Sequence, residues 1–230
     1  YSVSLGERKK ISSSNLKYRK EDRWANSVKA VIASFIEYGV PVSGLNFTIL
    51  SEIPADAGLG TPNALKVGTA LALRRLFAPR LADEVLVALL ERANVQFLKT
   101  HAHRADILTA LFARKGHCIR TDHNKVSADL VPFPEKGYSV QLVDSRVPRL
   151  LAREELALRI QECVQAYETV KADPDAPADF SQLTEEVLEE ITDIPESVRR
   201  RVIYIIRESE SVREAVAALA SREYGSFSKI

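Results

Sequence analysis

The sequence predicts two lobes of α+β or α/β type, with mixed sheets, packed helices and a cleft between the lobes. Three observations carry this. A strand, a glycine-bearing loop and a helix follow one another between Phe47 and Phe77. Two short β segments, Cys118 to Thr121 and Ala128 to Val131, stand among helical stretches. After Pro132 and Pro134 the chain becomes mostly helical. Strands and helices mixed in this order pack as layers in two bodies, and the space between two bodies is where small ligands are usually held.

The elements follow in chain order. Trp24 to Tyr38 places Val28, Val31, Ile32 and Phe35 at helical spacing, with Gly39 positioned as a C-terminal cap. Phe47, Ile49, Leu50 and Ile53 form a short apolar run ending at Pro54, a strand that leads into the loop Ala55 to Gly60. Thr61 followed by Pro62 is the pairing expected of an N-cap and a first helical residue. Leu65, Val67, Leu71, Leu73 and Leu76 then carry a helix to about Phe77. Further helices are expected over Ala82 to Leu98 and from Arg104 through Phe112, the latter stopped by Gly116. The polar tract Asp122 to Ser127 separates the two β segments. Tyr138 to Val143 alternates weakly and reads as a strand that restarts the chain, so a domain boundary is expected near residue 136. Beyond it, helices are expected over Glu154 to Lys171, Thr184 to Ile191, Glu196 to Arg207 and Val212 to Ala220, with Pro174 and Pro177 in a loop.

Composition excludes several classes. With Lys plus Arg at 32 against Asp plus Glu at 31, the net charge of +1 gives no electrostatic basis for capturing nucleic acid or an anionic membrane. The 46% hydrophobic and 27% charged content is that of an ordinary globular protein. Two cysteines, Cys118 and Cys163, without metal-ligand spacing fit a reducing compartment. No apolar run is long enough for a bilayer span, and Tyr1 to Lys10 lacks the apolar core of a signal peptide, so a cytoplasmic protein is expected, monomeric or weakly oligomeric. The absence of Met, even at the first position, suggests an internal stretch of a longer chain.

The most chemically suggestive segment runs from Ile53 through Pro54, Gly58, Leu59, Gly60, Thr61, Pro62 and Asn63 to Ala64. Glycines let backbone approach a ligand, and a helix N-terminus offers N–H donors and partial positive charge, a combination suited to phosphate. It is neither a Walker loop, since no Gly-Lys-Ser/Thr follows, nor a complete dinucleotide fingerprint. A tight turn before a capped helix is the plainer reading of the same residues. Asp106 is either a helix-start carboxylate matched to the dipole or a working acid-base group. His101 and His103, two apart, have the spacing of zinc ligands on a strand, or are simply partly buried or exposed histidines. Arg199, Arg200 and Arg201 read as a solvated helix face.

Four stretches resemble, in the right order, the GHMP family of small-molecule kinases and within it the galactokinases. Pro54, Gly58-Leu59-Gly60-Thr61 and the helix beyond are similar to the motif Pro-x-x-x-Gly-Leu-Ser/Gly-Ser-Ser-Ala. Trp24-Ala-Asn26-Ser-Val28-Lys29 resembles the Trp-x-Asn-Tyr-Val-Lys helix. Phe97 to Asp106 and Phe112 to His117 resemble the segment around the family's catalytic Asp, and Val143-Asp-Ser145-Arg-Val147, with Arg159 and Cys163, resembles the start of its second lobe. The resemblance implies a GHMP-kinase-like two-lobed fold, with residues 1–136 as a nucleotide-binding lobe incomplete at its start and 137–230 as a truncated C-terminal lobe. It implies ATP held by Gly58, Leu59, Gly60, Thr61, Asn63 and Ala64 with Trp24 near the adenine, and phosphoryl transfer to a small sugar. Asp106 is then the catalytic group, with His103 and Arg104 beside it facing the sugar. Magnesium falls to Thr61 and Asn94, because Pro62 and Asn94 occupy the positions of the family's Ser and Glu; Glu91 lies one helical turn from Asn94. Leu156 stands where galactokinases place a sugar-contacting Tyr, and Ala102-His103-Arg104-Ala105-Asp106-Ile107 replaces Cys-Gly-Ile-Met-Asp-Gln. A galactokinase-like binding or regulatory protein without transfer activity is the rival expectation.

Overall fold

The computed structural model describes residues 1–54, 58–122, 126–134, 136–143, 149–173, 176, 182–191 and 194–230. The architecture is α+β, and the chain divides into two compact units, Tyr1–Ser139 and Val140–Ile230.

At the centre of the first unit is α1 (Ala25–Glu37), buried on nearly every side. Its apolar residues Val28, Val31 and Phe35 enter the core, while the buried Asn26 and Lys29 find partners in the segment just before the helix. The Lys29 ammonium donates to Asp22 at 2.7 Å and also to Lys17 O, and the Asn26 amide donates to Arg19 O at 2.7 Å. Gly39, at φ +100°, ends the helix as expected. Its N–H reaches Ile36 O at 2.9 Å and that of Val40 reaches Phe35 O at 3.0 Å, the paired bonds of a Schellman motif.

Against α1 pack α2 (Thr61–Phe77) and α3 (Asp83–Arg92). The latter runs on through a π-turn, Ala93–Phe97, so the helix expected over Ala82 to Leu98 is present with a widened last turn. Next comes α4 (Arg104–Phe112), then the antiparallel hairpin of β1 (His117–Asp122) and β2 (Ser127–Pro132). Its register sets His117 opposite Pro132 and Asp122 opposite Ser127. Phe35, Leu73, Leu86, Leu90, Ile107 and Leu108 are fully buried, and each such side chain contributes about 2 kcal/mol through the area removed from water.

Three expectations are corrected here. The strand at Phe47 to Ile53 shrinks to one parallel bridge between Ile49 and Ser2, because the N-terminal segment turns back at once, Ser2 also pairing with Glu7. The stretch Tyr138 to Val143 forms no strand; Val140, Leu142 and Val143 are exposed, with no ladder partner among the described residues. Thr61 is the first helical residue and not the N-cap, which is Gly60 at φ +69°; Pro62 moves to the second position, where its missing N–H is equally harmless.

In the second unit, α5 (Arg149–Lys171), α6 (Glu185–Glu190) and α7 (Glu196–Ala220) surround a core of Ala166, Val170, Leu183, Leu188, Ile191, Val202 and Ile206, and α8 (Tyr224–Phe227) packs on α7. Thr184 caps α6, its hydroxyl accepting from Val187 N–H at 3.3 Å. Arg199 closes the other end by donating to Leu188 O and Ile191 O, both at 2.7 Å, so one member of the arginine cluster has a built-in structural partner. The two helices expected at Glu196 to Arg207 and Val212 to Ala220 are one: Glu208 to Ser211 is polar but holds no Gly or Pro, and Ser209 bonds back to Ile205 O at 2.9 Å within the helix. No described helix is long and apolar enough to cross a membrane.

Candidate functional site

Two helix starts converge in the first unit. One belongs to α2. Gly58 and Gly60 both take positive φ, +80° and +69°, a conformation that glycine adopts without the Cβ clash other residues meet. Ala55, Asp56 and Ala57 lie outside the described residues. In the first turn Pro62 has no N–H, and the N–H groups of Asn63 and Ala64 both point to Gly60 O, at 2.9 and 3.0 Å. Thr61 is the remaining residue of that turn whose N–H is not committed there, so the helix end offers fewer backbone donors than the motif suggests.

The other start belongs to α4. His103 precedes it in the left-handed region, φ +56°, and Asp106 sits in its first turn, where the helix dipole favours a carboxylate. The two starts are joined directly: the Asn63 amide donates to Asp106 Oδ2 at 2.7 Å. The Asp106 side chain is 48% exposed, which leaves it accessible to a ligand while one oxygen is held. His103 Nδ1 lies 3.7 Å from the same oxygen. Burial pushes the His103 imidazole below its usual range, and Asp106 pulls the other way.

Beneath this junction is a buried polar cluster. Lys66, one turn beyond Asn63 on α2, is 3% exposed; Asn94, in the π-turn, is 0% exposed; Asn63 is 5% exposed. The Lys66 ammonium donates to Asn94 Oδ1. Asn94 Nδ2 donates to Ala102 O at 2.8 Å and, over a longer 3.5 Å, to Asn63 Oδ1. Burial lowers the Lys66 pKa to about 8, with the Asp106 carboxylate opposing the fall. Among the described residues no buried side-chain nitrogen or oxygen is left without a hydrogen-bond partner, so the cluster is satisfied within the protein.

The sequence-derived site residues fall into two groups. Gly58, Gly60, Thr61, Asn63, Ala64, His103 and Asp106 lie at the two joined helix starts, with Leu59 exposed between the glycines. Arg104 is near but committed, its Nε and guanidinium nitrogen gripping both oxygens of Glu91 at 2.5 and 2.7 Å. That pair raises the Arg104 pKa through its hydrogen bonds and makes Glu91 a brace. Trp24 stands at the start of α1, where its indole N–H donates to Glu7 at 3.1 Å, and no hydrogen bond joins it to the glycine loop among the described residues. Ser145 and Val147 lie outside the described residues, as does His123, a histidine that the sequence offers as a further zinc ligand beside His101 and His103. Leu156 is exposed on α5 and Arg159 pairs with Glu155 and Glu162 on the same helix.

Asn94 does not fit a magnesium ligand. Its oxygen receives an ammonium and its amide hydrogens face Ala102 and Asn63, so a dication there would lose its acceptor and meet a positive charge. His101 and His103 meet in a T-shaped arrangement with ring centroids 6.1 Å apart, and neither is on a strand. No group of three His, Cys, Asp or Glu residues suited to a metal occurs among the described residues.

Lys66 was invisible to motif reading, yet it carried a signal. Asn63, Lys66, Val67, Ala70 and Leu73 follow one buried helical stripe, and a lysine on such a stripe requires a partner.

Residues 26–114 match the family described as the GHMP kinases N terminal domain. Over all 230 residues the chain is 59% identical to a protein of Treponema pallidum (strain Nichols) named "Putative galactokinase", covering 58% of that protein. It is 31% identical over 214 residues to a galactokinase of Thermotoga maritima, aligning 93% of this chain with 59% of that one. The crystal structure of Lactococcus lactis galactokinase complexed with galactose matches with a TM-score of 0.76 at 19% identity, over 99% of this chain and 60% of that chain. At that identity the last likeness is one of fold. The chain spans about three fifths of the length of the curated relatives it matches.

Proposed function

We propose that this chain, whose residues 26–114 match the GHMP kinases N terminal domain, is part of an ATP-dependent sugar kinase of galactokinase type. The γ-phosphoryl group of ATP passes to the anomeric hydroxyl of galactose or a related sugar. The observation that carries this reading is the 2.7 Å bond from Asn63 to Asp106, which ties the carboxylate to the first turn after the glycine loop.

In this reading Gly58, Leu59, Gly60, Thr61, Asn63 and Ala64 cradle the phosphates and Trp24 lies toward the adenine, with residues 1–136 serving as the nucleotide lobe and 137–230 as the second lobe. Asp106 takes the proton of the acceptor hydroxyl, or holds that hydroxyl in line. The oxygen forms its bond to the γ-phosphorus as the bridge to the β-phosphate breaks and ADP leaves with the electron pair. His103 shapes the acceptor side, and Arg104, braced by Glu91, lends charge to it. Most of the rate comes from placing the two reactants in line. No step runs through a magnesium ion at Asn94. The protein works on small molecules in the cytoplasm, as a monomer or weak oligomer, without nucleic acid or membrane.

A second reading is favoured by the commitment of Asn94 to Lys66: a galactokinase-like protein that binds nucleotide or sugar without transferring phosphate. A coupled ADP-release assay on the full-length protein, run across a panel of sugars, separates the two. The kinase reading expects turnover that Asp106→Ala lowers at least about a hundredfold, the usual contribution of a positioned acid-base group. ATP binding without turnover on any sugar would favour the binding protein.

A further inference from the structure

We propose that Lys66 is a positioning residue for Asp106, a buried cation that fixes the orientation of the carboxylate through the side-chain amides of Asn94 and Asn63. This rests on the reading of Asp106 as the group that faces the acceptor hydroxyl.

The order of the hydrogen bonds is the reason. Lys66 Nζ donates to Asn94 Oδ1, Asn94 Nδ2 donates to Asn63 Oδ1 at 3.5 Å, and Asn63 Nδ2 donates to Asp106 Oδ2 at 2.7 Å. Every donor points the same way, from cation to carboxylate. Two amide dipoles so arranged polarise each other and carry the influence of the ammonium to an acid it does not touch. Reversing either amide would set N–H against ammonium at one end or carbonyl against carboxylate at the other. The charges at the two ends therefore fix both amides, and the amides fix which Asp106 oxygen is held.

Burial makes the arrangement hard to replace. An ammonium taken from water is costly unless something offsets it, and Asn94 supplies a neutral oxygen only. The offsetting negative charge is Asp106, whose carboxylate counteracts part of the burial effect on Lys66. Asn94 adds a second anchor through Ala102 O at 2.8 Å, which ties the relay to the segment just before α4. The consequence for Asp106 is that Oδ2 is occupied and turned inward. Oδ1, which has no hydrogen-bond partner among the described residues, is left for the acceptor.

The test uses the full-length protein with Lys66→Met, which keeps the length of the side chain and removes its charge. Asn63→Ala, which cuts the relay at its last link, is the second variant should the first fail to fold. In side-chain amide NMR, the Asn63 NH2 protons of the parent protein are expected to exchange slowly. Lys66→Met is expected to speed that exchange at least tenfold, although Lys66 and Asn63 share no bond. Unchanged Asn63 protons would overturn the relay, whether or not the protein has activity. In ADP-release kinetics with ATP saturating and galactose varied, Lys66→Met is expected to lower kcat at least tenfold while the KM for galactose stays within threefold, and Asn63→Ala, which also removes a side chain from the phosphate cradle, is expected to lower kcat at least tenfold. Adding Lys66→Met to Asp106→Asn is expected to lower kcat no further. Losses that add, or that fall mainly on KM, would make Lys66 a structural residue only. Absence of turnover in the parent protein would remove the sugar-kinase reading and, with it, the role assigned to Asp106.

Discussion

At Asn94 the amide oxygen receives the Lys66 ammonium while the amide nitrogen donates to Ala102 O and Asn63 Oδ1, so each polar atom of this fully buried side chain is engaged by protein. Asn94→Ala leaves the ammonium buried without an acceptor and is expected to lower stability by about 2–3 kcal/mol, read from urea denaturation. The same variant is expected to leave the affinity for Mn2+ with ATP within threefold of the parent, measured by electron paramagnetic resonance. A tenfold loss would show that Asn94 does ligate a metal. The residue scale is also where the sequence was least legible. Asp106 stood out because its neighbours formed a motif. Lys66 did not, because its role depends on Asn94, which is distant in sequence and reached only once the π-turn has folded against α2.

Helices were legible because their determinants are local. The apolar spacing of α1 and the glycine after it lie within one short segment, and the Schellman bonds at Gly39 follow from them. Gly39 at φ +100° has open space where a Cβ would stand, so Gly39→Ala is penalised by the backbone alone. It is expected to cost about 1–2 kcal/mol, checked by the shift in urea midpoint. A change below about 0.5 kcal/mol would mean that the helix end relaxes at no cost. Strands depended on what they met. β1 and β2 are joined by a short connection and pair along their whole length, whereas Ile49 found only Ser2. Polarity misled at α7: Glu208 to Ser211 resembles a loop in composition, yet nothing there opposes helical φ and ψ, and α5 packs against the helix.

Across the whole chain, the division into Tyr1–Ser139 and Val140–Ile230 can be tested by accessibility. Each unit has its own apolar cluster, one centred on Phe35, Leu73 and Ile107 and the other on Val170, Leu188 and Val202. Residues in such clusters are cut by protease only when the unit opens, and that opening is rare in a cooperatively folded body. Between the clusters, Tyr138, Val140, Leu142 and Val143 are exposed and belong to no helix or strand, and Tyr138 and Leu142 are residues that chymotrypsin accepts. Brief chymotrypsin treatment is therefore expected to cut first between residues 138 and 143, giving two fragments identifiable by mass spectrometry. First cuts within Ala25–Glu37 or Thr61–Phe77 would mean that the first unit opens more readily than its buried side chains imply. In that event the junction of Asn63 with Asp106, which depends on α2 and α4 packing together, would not persist long enough to serve a reaction.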